Sequence, residues 1–329
     1  MTSRIPASTT RTILITGGAG FIGSALAARL ISDPDNYVVI VDDLSTGSIR
    51  RLPNLPKTNW KFIRCNVNHY TDIAEVMHAF SFDYVFHYAA MVGVQRTQAM
   101  PIRVLQDLHG IENILSLGKN SGVKRIFFAS SSEVYGEPVD LPQNEHTTPL
   151  NSRIPYAVVK NAGEAFLRSY KKEYDLDFTI FRFFNTYGPM QDKQFVMSRF
   201  LYQALRNEAL TIYGDGSQTR TFLYIDDNIE ATVNAFYGDH VINDVINIGG
   251  EQEVSMLELA GMMIKTTGSK SDIQFLPPLE EGDMTRRCPD ITKMKQLIFR
   301  RKPVSIVEGI SKLASSPDFI IQQFNGIKK

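Results

Sequence analysis

Short apolar runs recur along the first half of the chain, and between them lie longer stretches whose apolar positions repeat at helical spacing. The runs at 12–16, 37–41, 61–64, 84–88, 125–129 and 178–183 are rich in β-branched and aromatic residues and predict strands. The stretches at 21–31, 71–80, 102–121 and 156–174 predict helices. Strands buried on both faces read as continuous apolar runs, and their alternation with helices predicts a parallel sheet covered on both sides. Past residue 185 the elements shorten, and loops punctuated by Pro and Gly run through 186–194, 213–220 and 276–290. The expected architecture is α/β: a doubly wound parallel sheet over residues 1–185 and a smaller α/β domain over 186–329. The run 244–248 predicts a strand that returns to the first sheet, so a segment near 225–250 belongs with it.

Composition narrows the class without naming it. At about 150 residues per domain, 329 residues suggest two domains. Thirty-five Lys and Arg balance thirty-five Asp and Glu, which argues against a nucleic-acid or anionic-membrane partner. With 43% apolar and 21% charged residues the chain is an ordinary globular one. Two cysteines, Cys65 and Cys288, cannot build a disulfide scaffold or a Cys-rich zinc site, and no metal is expected. No apolar run reaches the roughly 18 residues that a membrane span needs. Residues 1–10 are polar and predict neither a signal peptide nor an anchor, so a cytoplasmic protein is expected.

The first strand breaks into Gly17-Gly-Ala-Gly-Phe-Ile-Gly23. Missing Cβ atoms let a pyrophosphate approach the backbone, and the helix that follows supplies N–H donors and partial positive charge. A glycine triplet alone also fits a tight turn; its place between strand and helix points to a dinucleotide. Asp42 ends the second strand about 20 residues later, placed to accept from ribose hydroxyls. That carboxylate repels a 2′-phosphate, and Asp43 alongside adds to the effect, so NAD is expected rather than NADP.

Two further clusters carry chemistry. The fifth apolar run ends in Ala129-Ser-Ser-Ser-Glu-Val-Tyr-Gly136, three hydroxyls and a carboxylate where residues beyond a strand face the ligand crevice. Tyr156 and Lys160 stand four apart on a predicted helix and share a face. A phenol is a poor base near neutrality, but a neighbouring ammonium favours the phenolate, giving a base for a hydroxyl proton.

Taken in order, these motifs resemble the extended short-chain dehydrogenase/reductase family, in particular its NAD-dependent nucleotide-sugar epimerases and dehydratases, with UDP-glucuronate decarboxylase-like members included. The resemblance covers nearly the whole chain. Its segments include Val41-Asp-Asp-Leu-Ser-Thr-Gly47, His87-Tyr-Ala-Ala90, Arg182-Phe-Phe-Asn-Thr-Tyr-Gly-Pro189, the stretch 213–227 and Arg286-Arg-Cys-Pro-Asp290. It implies a Rossmann domain whose NAD is lined by Gly17, Gly20, Phe21, Ile22, Gly23, Asp42, Asp43, Leu44, Ser45, Thr46 and Gly47. Asn66, Val67, Tyr88, Ala89, Ala90, Ala129, Ser130 and Phe183 complete that lining, together with Tyr156 and Lys160. It implies Tyr156 as catalytic base, Lys160 as its partner, Ser131 as the sugar-hydroxyl ligand and Glu133 as an added acid/base. Ser131, Ser132, Glu133, Asn185, Tyr213, Arg220 and Arg287 are the implied substrate contacts, and the planar fork of Arg suits a diphosphate. Tyr213 either flanks the base or packs as a core aromatic. A homodimer through a four-helix interface is also implied.

Three positions depart from the family pattern: Asn66-Val67 stands for Asp-Val/Ile, Asp107 for an Asn, and Ile111 for a Thr. The shared chemistry is oxidation at sugar C4 to a ketone, after which reactions diverge. Glu133 resembles 4,6-dehydratases and UDP-glucuronate decarboxylases, since simple 4-epimerases need no carboxylate beside the serine. The expected protein is therefore an NAD-dependent nucleotide-sugar epimerase/dehydratase. Decarboxylase, C4 dehydrogenase and a non-catalytic nucleotide-binding protein are the alternatives, the last disfavoured by the presence of Ser131, Tyr156 and Lys160.

Overall fold

The computed structural model describes residues 10–56, 58–278 and 284–317; residues 1–9, part of the polar amino-terminal stretch, lie outside it. The first half runs β1 (Arg11–Thr16), α1 (Phe21–Ile31), β2 (Asn36–Asp42), β3 (Trp60–Arg64), α2 (Tyr70–Ala79), β4 (Tyr84–His87), α3 (Val94–Ala99), α4 (Pro101–Leu105), α5 (Asp107–Ser121), β5 (Arg125–Ser131), α6 (Pro155–Tyr174) and β6 (Asp177–Phe183). Then come β7 (Thr186–Tyr187), α7 (Val196–Leu205), β8 (Leu210–Tyr213), β9 (Thr219–Thr221), β10 (Leu223–Tyr224), α8 (Ile225–Tyr237) and β11 (Asp244–Ile248). The chain continues through β12 (Glu253–Ser255), α9 (Met256–Thr267), β13 (Ile273–Leu276), β14 (Arg286–Arg287), α10 (Thr292–Leu297) and α11 (Ile306–Ala314).

Seven strands form one sheet in the order β11-β6-β5-β4-β1-β2-β3. The reversal of strand order beside β1 makes this a doubly wound Rossmann-type sheet, as the alternation of apolar runs and helices predicts. β1 lies between β2 and β4 in parallel register, with Thr16 opposite both Val41 and His87. Ile13, Leu14, Ile15 and Val38 to Val41 are fully buried, which is why their sequences read as continuous apolar runs. Phe86 and Phe127 stack at 4.4 Å between centroids and join β4 to β5.

Two compact units divide the described chain. The first comprises residues up to Ala90, Gln106–Ala129 and Gly163–Thr179; the second comprises Met91–Leu105, Ser130–Ala162 and residues from Ile180 on. One predicted element differs. The helix expected over 102–121 is interrupted at Gln106, and α5 starts afresh at Asp107. A carboxylate in a first helical turn is favoured by the helix dipole, and Asp107 also accepts from Asn68 Nδ2 at 3.1 Å. The apolar periodicity continues across this break and does not register it. Among the described residues no helix is long and apolar enough to cross a membrane.

Candidate active site

The glycine turn of the first unit is set by steric demand. Gly17 sits at φ +65°, and a Cβ there would lie 2.7 Å from the Ala89 backbone. A Cβ on Gly23 would lie 2.4 Å from the Gly17 carbonyl, so α1 begins hard against the turn that feeds it. Gly20 caps α1 with no side-chain hydrogen bond, which leaves the first-turn N–H groups directed out of the helix end as anion donors. Beside this turn Asp42 Oδ2 accepts from Ala19 N–H at 3.0 Å and Oδ1 from Leu44 N–H at 2.8 Å. Burial pushes the Asp42 carboxyl above the usual range, against the lowering effect of these two bonds. Asp43 holds the next turn by accepting from Ser45 N–H, and Leu44 takes a left-handed φ of +64° to make the corner. Thr46 accepts from Arg51, whose charge is also felt at Asp42.

Tyr88-Ala89-Ala90, at the end of β4, is pinned by Thr16. The Thr16 hydroxyl accepts from Tyr88 N–H at 3.1 Å and Ala89 N–H at 3.2 Å, so its own proton goes to His87 Nδ1 at 2.8 Å. With Nδ1 accepting from Thr16, the neutral tautomer of the buried His87 that fits this bond carries its proton on Nε2. Its ring stacks on Phe128 with 6.0 Å between centroids. The unit thus offers helix-end donors, a buried carboxylate and a fixed apolar loop, a set that fits a dinucleotide.

The second unit holds the reactive side chains. Ser131 ends β5 and caps the 3-10 turn Ser132–Tyr135 by accepting from Glu133 N–H at 3.2 Å. Glu133 Oε1 pairs with Arg287 Nη2 at 2.7 Å, and both side chains are nearly buried. Glu133 Oε2 is buried with no hydrogen-bond partner among the described residues. Arg287 Nε donates to Met284 Sδ at 3.3 Å. On α6, Lys160 is buried with its Nζ 5.7 Å from the centroid of the Tyr156 ring. Tyr135 is a structural pillar: its hydroxyl donates to Asn247 at 2.8 Å and accepts from Arg182 at 2.9 Å, and burial pushes its pKa to about 12.

Two buried arginines lie side by side. β14 runs parallel to β9, and the register places Arg287 opposite Arg220. Tyr213, at the end of β8, has the Arg199 guanidinium 5.2 Å from its ring centroid and receives Gln95 Nε2 on its hydroxyl at 3.4 Å. Asn185 follows β6, half-buried, and its carbonyl accepts from Leu223 N–H at 2.9 Å.

The sequence model of the NAD dependent epimerase/dehydratase family matches residues 13–249. The chain belongs to that family. It is 37% identical over 309 residues to UDP-glucuronic acid decarboxylase 1 of Danio rerio, an alignment covering 91% of this chain and 71% of that protein. It spans between 66% and 86% of the length of the animal and plant decarboxylases it matches. Its structure superposes on the UDP-glucose 4-epimerase of Thermotoga maritima, crystallised with UDP-glucose, with a TM-score of 0.87 at 30% identity over 95% of this chain and 99% of that one. It also superposes on the UDP-glucuronic acid 4-epimerase of Bacillus cereus, crystallised with UDP-glucuronic acid and NAD. There the TM-score is 0.84 at 32% identity, covering 94% of this chain and 99% of that one.

In this epimerase/dehydratase fold the structure gathers the sequence-predicted residues into two sets, one in each unit. Gly17 to Gly23, Asp42 to Gly47, Asn66, Val67 and Tyr88 to Ala90 lie in the first; Ser131 to Glu133, Tyr156, Lys160, Phe183, Asn185, Tyr213, Arg220 and Arg287 lie in the second. Sequence reasoning missed the residues that hold these in place. Thr16 and His87 fix one loop, and Gln95 and Arg199 bracket Tyr213. A buried histidine at a strand end is the only one of these with a signal in the sequence.

Proposed function

We propose that this chain binds NAD in its first unit and a nucleoside-diphosphate sugar in its second, and that it converts the sugar through transient oxidation at C4. The helix-end donors of α1 and the Asp42 carboxylate suit a pyrophosphate and a ribose. NAD, when bound, supplies the acceptor for the C4 hydride and its return. Tyr156 takes the C4 hydroxyl proton, and Ser131 holds that hydroxyl. The buried Lys160 beside the Tyr156 ring carries this reading, because an ammonium there favours the phenolate. Arg220 and Arg287 suit the diphosphate, with Asn185 near them in sequence role and Tyr213 as the nucleobase platform. Of the proposed dinucleotide domain, residues 1–185 with the segment near 225–250, the glycine turn and Asp42 lie in the first unit and Ser131, Tyr156, Lys160 and Phe183 in the second; residues 186–329 are the proposed sugar-nucleotide domain. Cys65 and Cys288 are free thiols, in keeping with a cytoplasmic enzyme. A homodimer through α5 and α6 is supported by Val158 and Tyr174, 41% and 50% exposed on α6.

Epimerisation or dehydration is the main reading, and the Glu133–Arg287 pair favours a second, decarboxylation of a UDP-hexuronate. Once C4 is a ketone, a C6 carboxylate belongs to a β-keto acid. Carbon dioxide then leaves, and C5 takes a proton. A buried arginine suits the carboxylate, and the unpartnered Glu133 Oε2 is an acceptor for a sugar hydroxyl. Mass spectrometry of UDP-glucose, UDP-N-acetylglucosamine and UDP-glucuronic acid after incubation with the chain and NAD tests both. An isomer of unchanged mass or loss of water supports the main reading, and loss of carbon dioxide the second. Unchanged substrates across the panel would overturn both.

A further inference from the structure

The Glu133–Arg287 ion pair joins two segments of the second unit, the 3-10 turn Ser132–Tyr135 and the stretch that leaves β14. A fully buried side chain on β11, Asn247, is bonded to both. Toward the turn, Asn247 Oδ1 accepts from the Tyr135 hydroxyl at 2.8 Å, and that hydroxyl accepts from Arg182 Nη1 at 2.9 Å. Toward β14, Asn247 Nδ2 donates to the Asp290 carbonyl at 3.2 Å and to the Gln143 carbonyl at 2.9 Å. Gln143 ties the same stretch a second time. Its N–H donates to the Cys288 carbonyl at 2.7 Å, and Asp290 N–H donates to the Gln143 carbonyl at 2.8 Å. The Asn247 backbone N–H donates to Glu145 Oε1 at 2.9 Å, which closes the 143–145 segment onto the same hub.

A carboxamide suits this place. The two backbone carbonyls before Nδ2 can only accept, so the nitrogen faces them and the oxygen faces Tyr135. The Tyr135 hydroxyl receives a proton from Arg182 and therefore gives its own to Asn247. Both polar atoms of the side chain are used, and they grip residues just past the two partners of the ion pair: Tyr135, two after Glu133, and Asp290, three after Arg287. An alanine would hold neither segment, and an aspartate would set a buried carboxylate against two carbonyls.

We propose that Asn247 is a positioning residue for the Glu133–Arg287 pair, holding the turn and the strand end so that carboxylate and guanidinium keep the separation in which they meet the sugar. Without the hub the two segments shift independently, and a misplacement of about 1 Å costs on the order of 10²-fold in rate. The inference rests on the second reading above, in which that pair serves a hexuronate.

The test is a double-mutant cycle on the full chain with UDP-glucuronic acid and NAD, kcat and KM being read from product formation. Tyr135→Phe removes the hydroxyl and keeps the ring; kcat is expected to fall about tenfold with KM within about twofold of the native value. Asn247→Ala is expected to lower kcat by about 10²-fold. In a Glu133→Gln chain, where the ion pair is already gone, Tyr135→Phe is expected to change kcat by less than about twofold. The cycle needs only Tyr135→Phe and Glu133→Gln, so it stands if Asn247→Ala fails to fold. An equal fall in both backgrounds is the mark of a general structural role and overturns the proposal alone, as does a native kcat in Tyr135→Phe. A native kcat in Glu133→Gln, or no turnover of UDP-glucuronic acid by the native chain, overturns it together with the reading it rests on.

Discussion

Asp42, the carboxylate proposed to hold the ribose, is held here at a cost to its ionised form. Burial raises the Asp42 pKa, so the folded chain binds that proton more tightly than the unfolded chain. This group's contribution to stability is present below the unfolded carboxylate value and is lost as pH rises through the raised folded value. Binding runs the other way, because a protonated Asp42 is a poorer acceptor for ribose hydroxyls. NAD affinity, measured by calorimetry between pH 7 and 4, is expected to weaken on acidification beginning above the ordinary carboxylate range of about 4. Asp42→Asn is expected to bind NAD more weakly at pH 7 and to flatten that profile. Tyr156 calls for a different readout. Tyr156→Phe keeps the ring and removes the proton acceptor. Turnover is expected to fall by about 10²–10⁴-fold, while NAD retention on gel filtration is unchanged.

Elements carry these side chains to their places, and here the sequence was legible in part. The glycine turn, Asp42 and the Tyr156/Lys160 pair are local patterns: a strand-to-helix turn, a strand end and one helix face. The Glu133–Arg287 ion pair joins residues 154 positions apart, because β14 pairs with β9 and its register brings Arg287 beside Arg220. No periodicity encodes that register. The break before α5 was hidden for a related reason, since Asp107 is turned by Asn68, a residue in another loop. The strand trio β12-β9-β14 is tied by Glu253, which accepts from Arg286 through both oxygens and from Thr219. The Arg286 hydrogen bond holds the Glu253 carboxyl below the usual glutamate range. Its stabilisation is present above the unfolded value and is lost as pH falls through the folded one. Arg286 is half exposed, so the pair is worth less than about 1 kcal/mol. Glu253→Gln is expected to lower the melting temperature by roughly 1–2 °C at pH 7 and to match the native chain near pH 3 in thermal melts.

At the scale of the whole molecule, composition and alternation made the fold legible, because a doubly wound sheet leaves its mark on every strand it buries. Assembly is less visible. Val158 and Tyr174 on α6 and His109 and Glu112 on α5 are exposed, and the proposed dimer rests on these two helices. Light scattering at micromolar concentration is expected to give twice the chain mass of 37.1 kDa, and Val158→Glu to shift it toward the monomer. The central claim is that the hydride taken from C4 is returned to the sugar within one catalytic cycle. It is tested most directly with UDP-glucose and UDP-glucuronic acid deuterated at C4, the product being read by mass spectrometry and NMR. The expected result is a product sugar that retains the deuterium without accumulation of free NADH. Deuterium washed out to solvent, or transferred to NADH released in proportion to product, would contradict it.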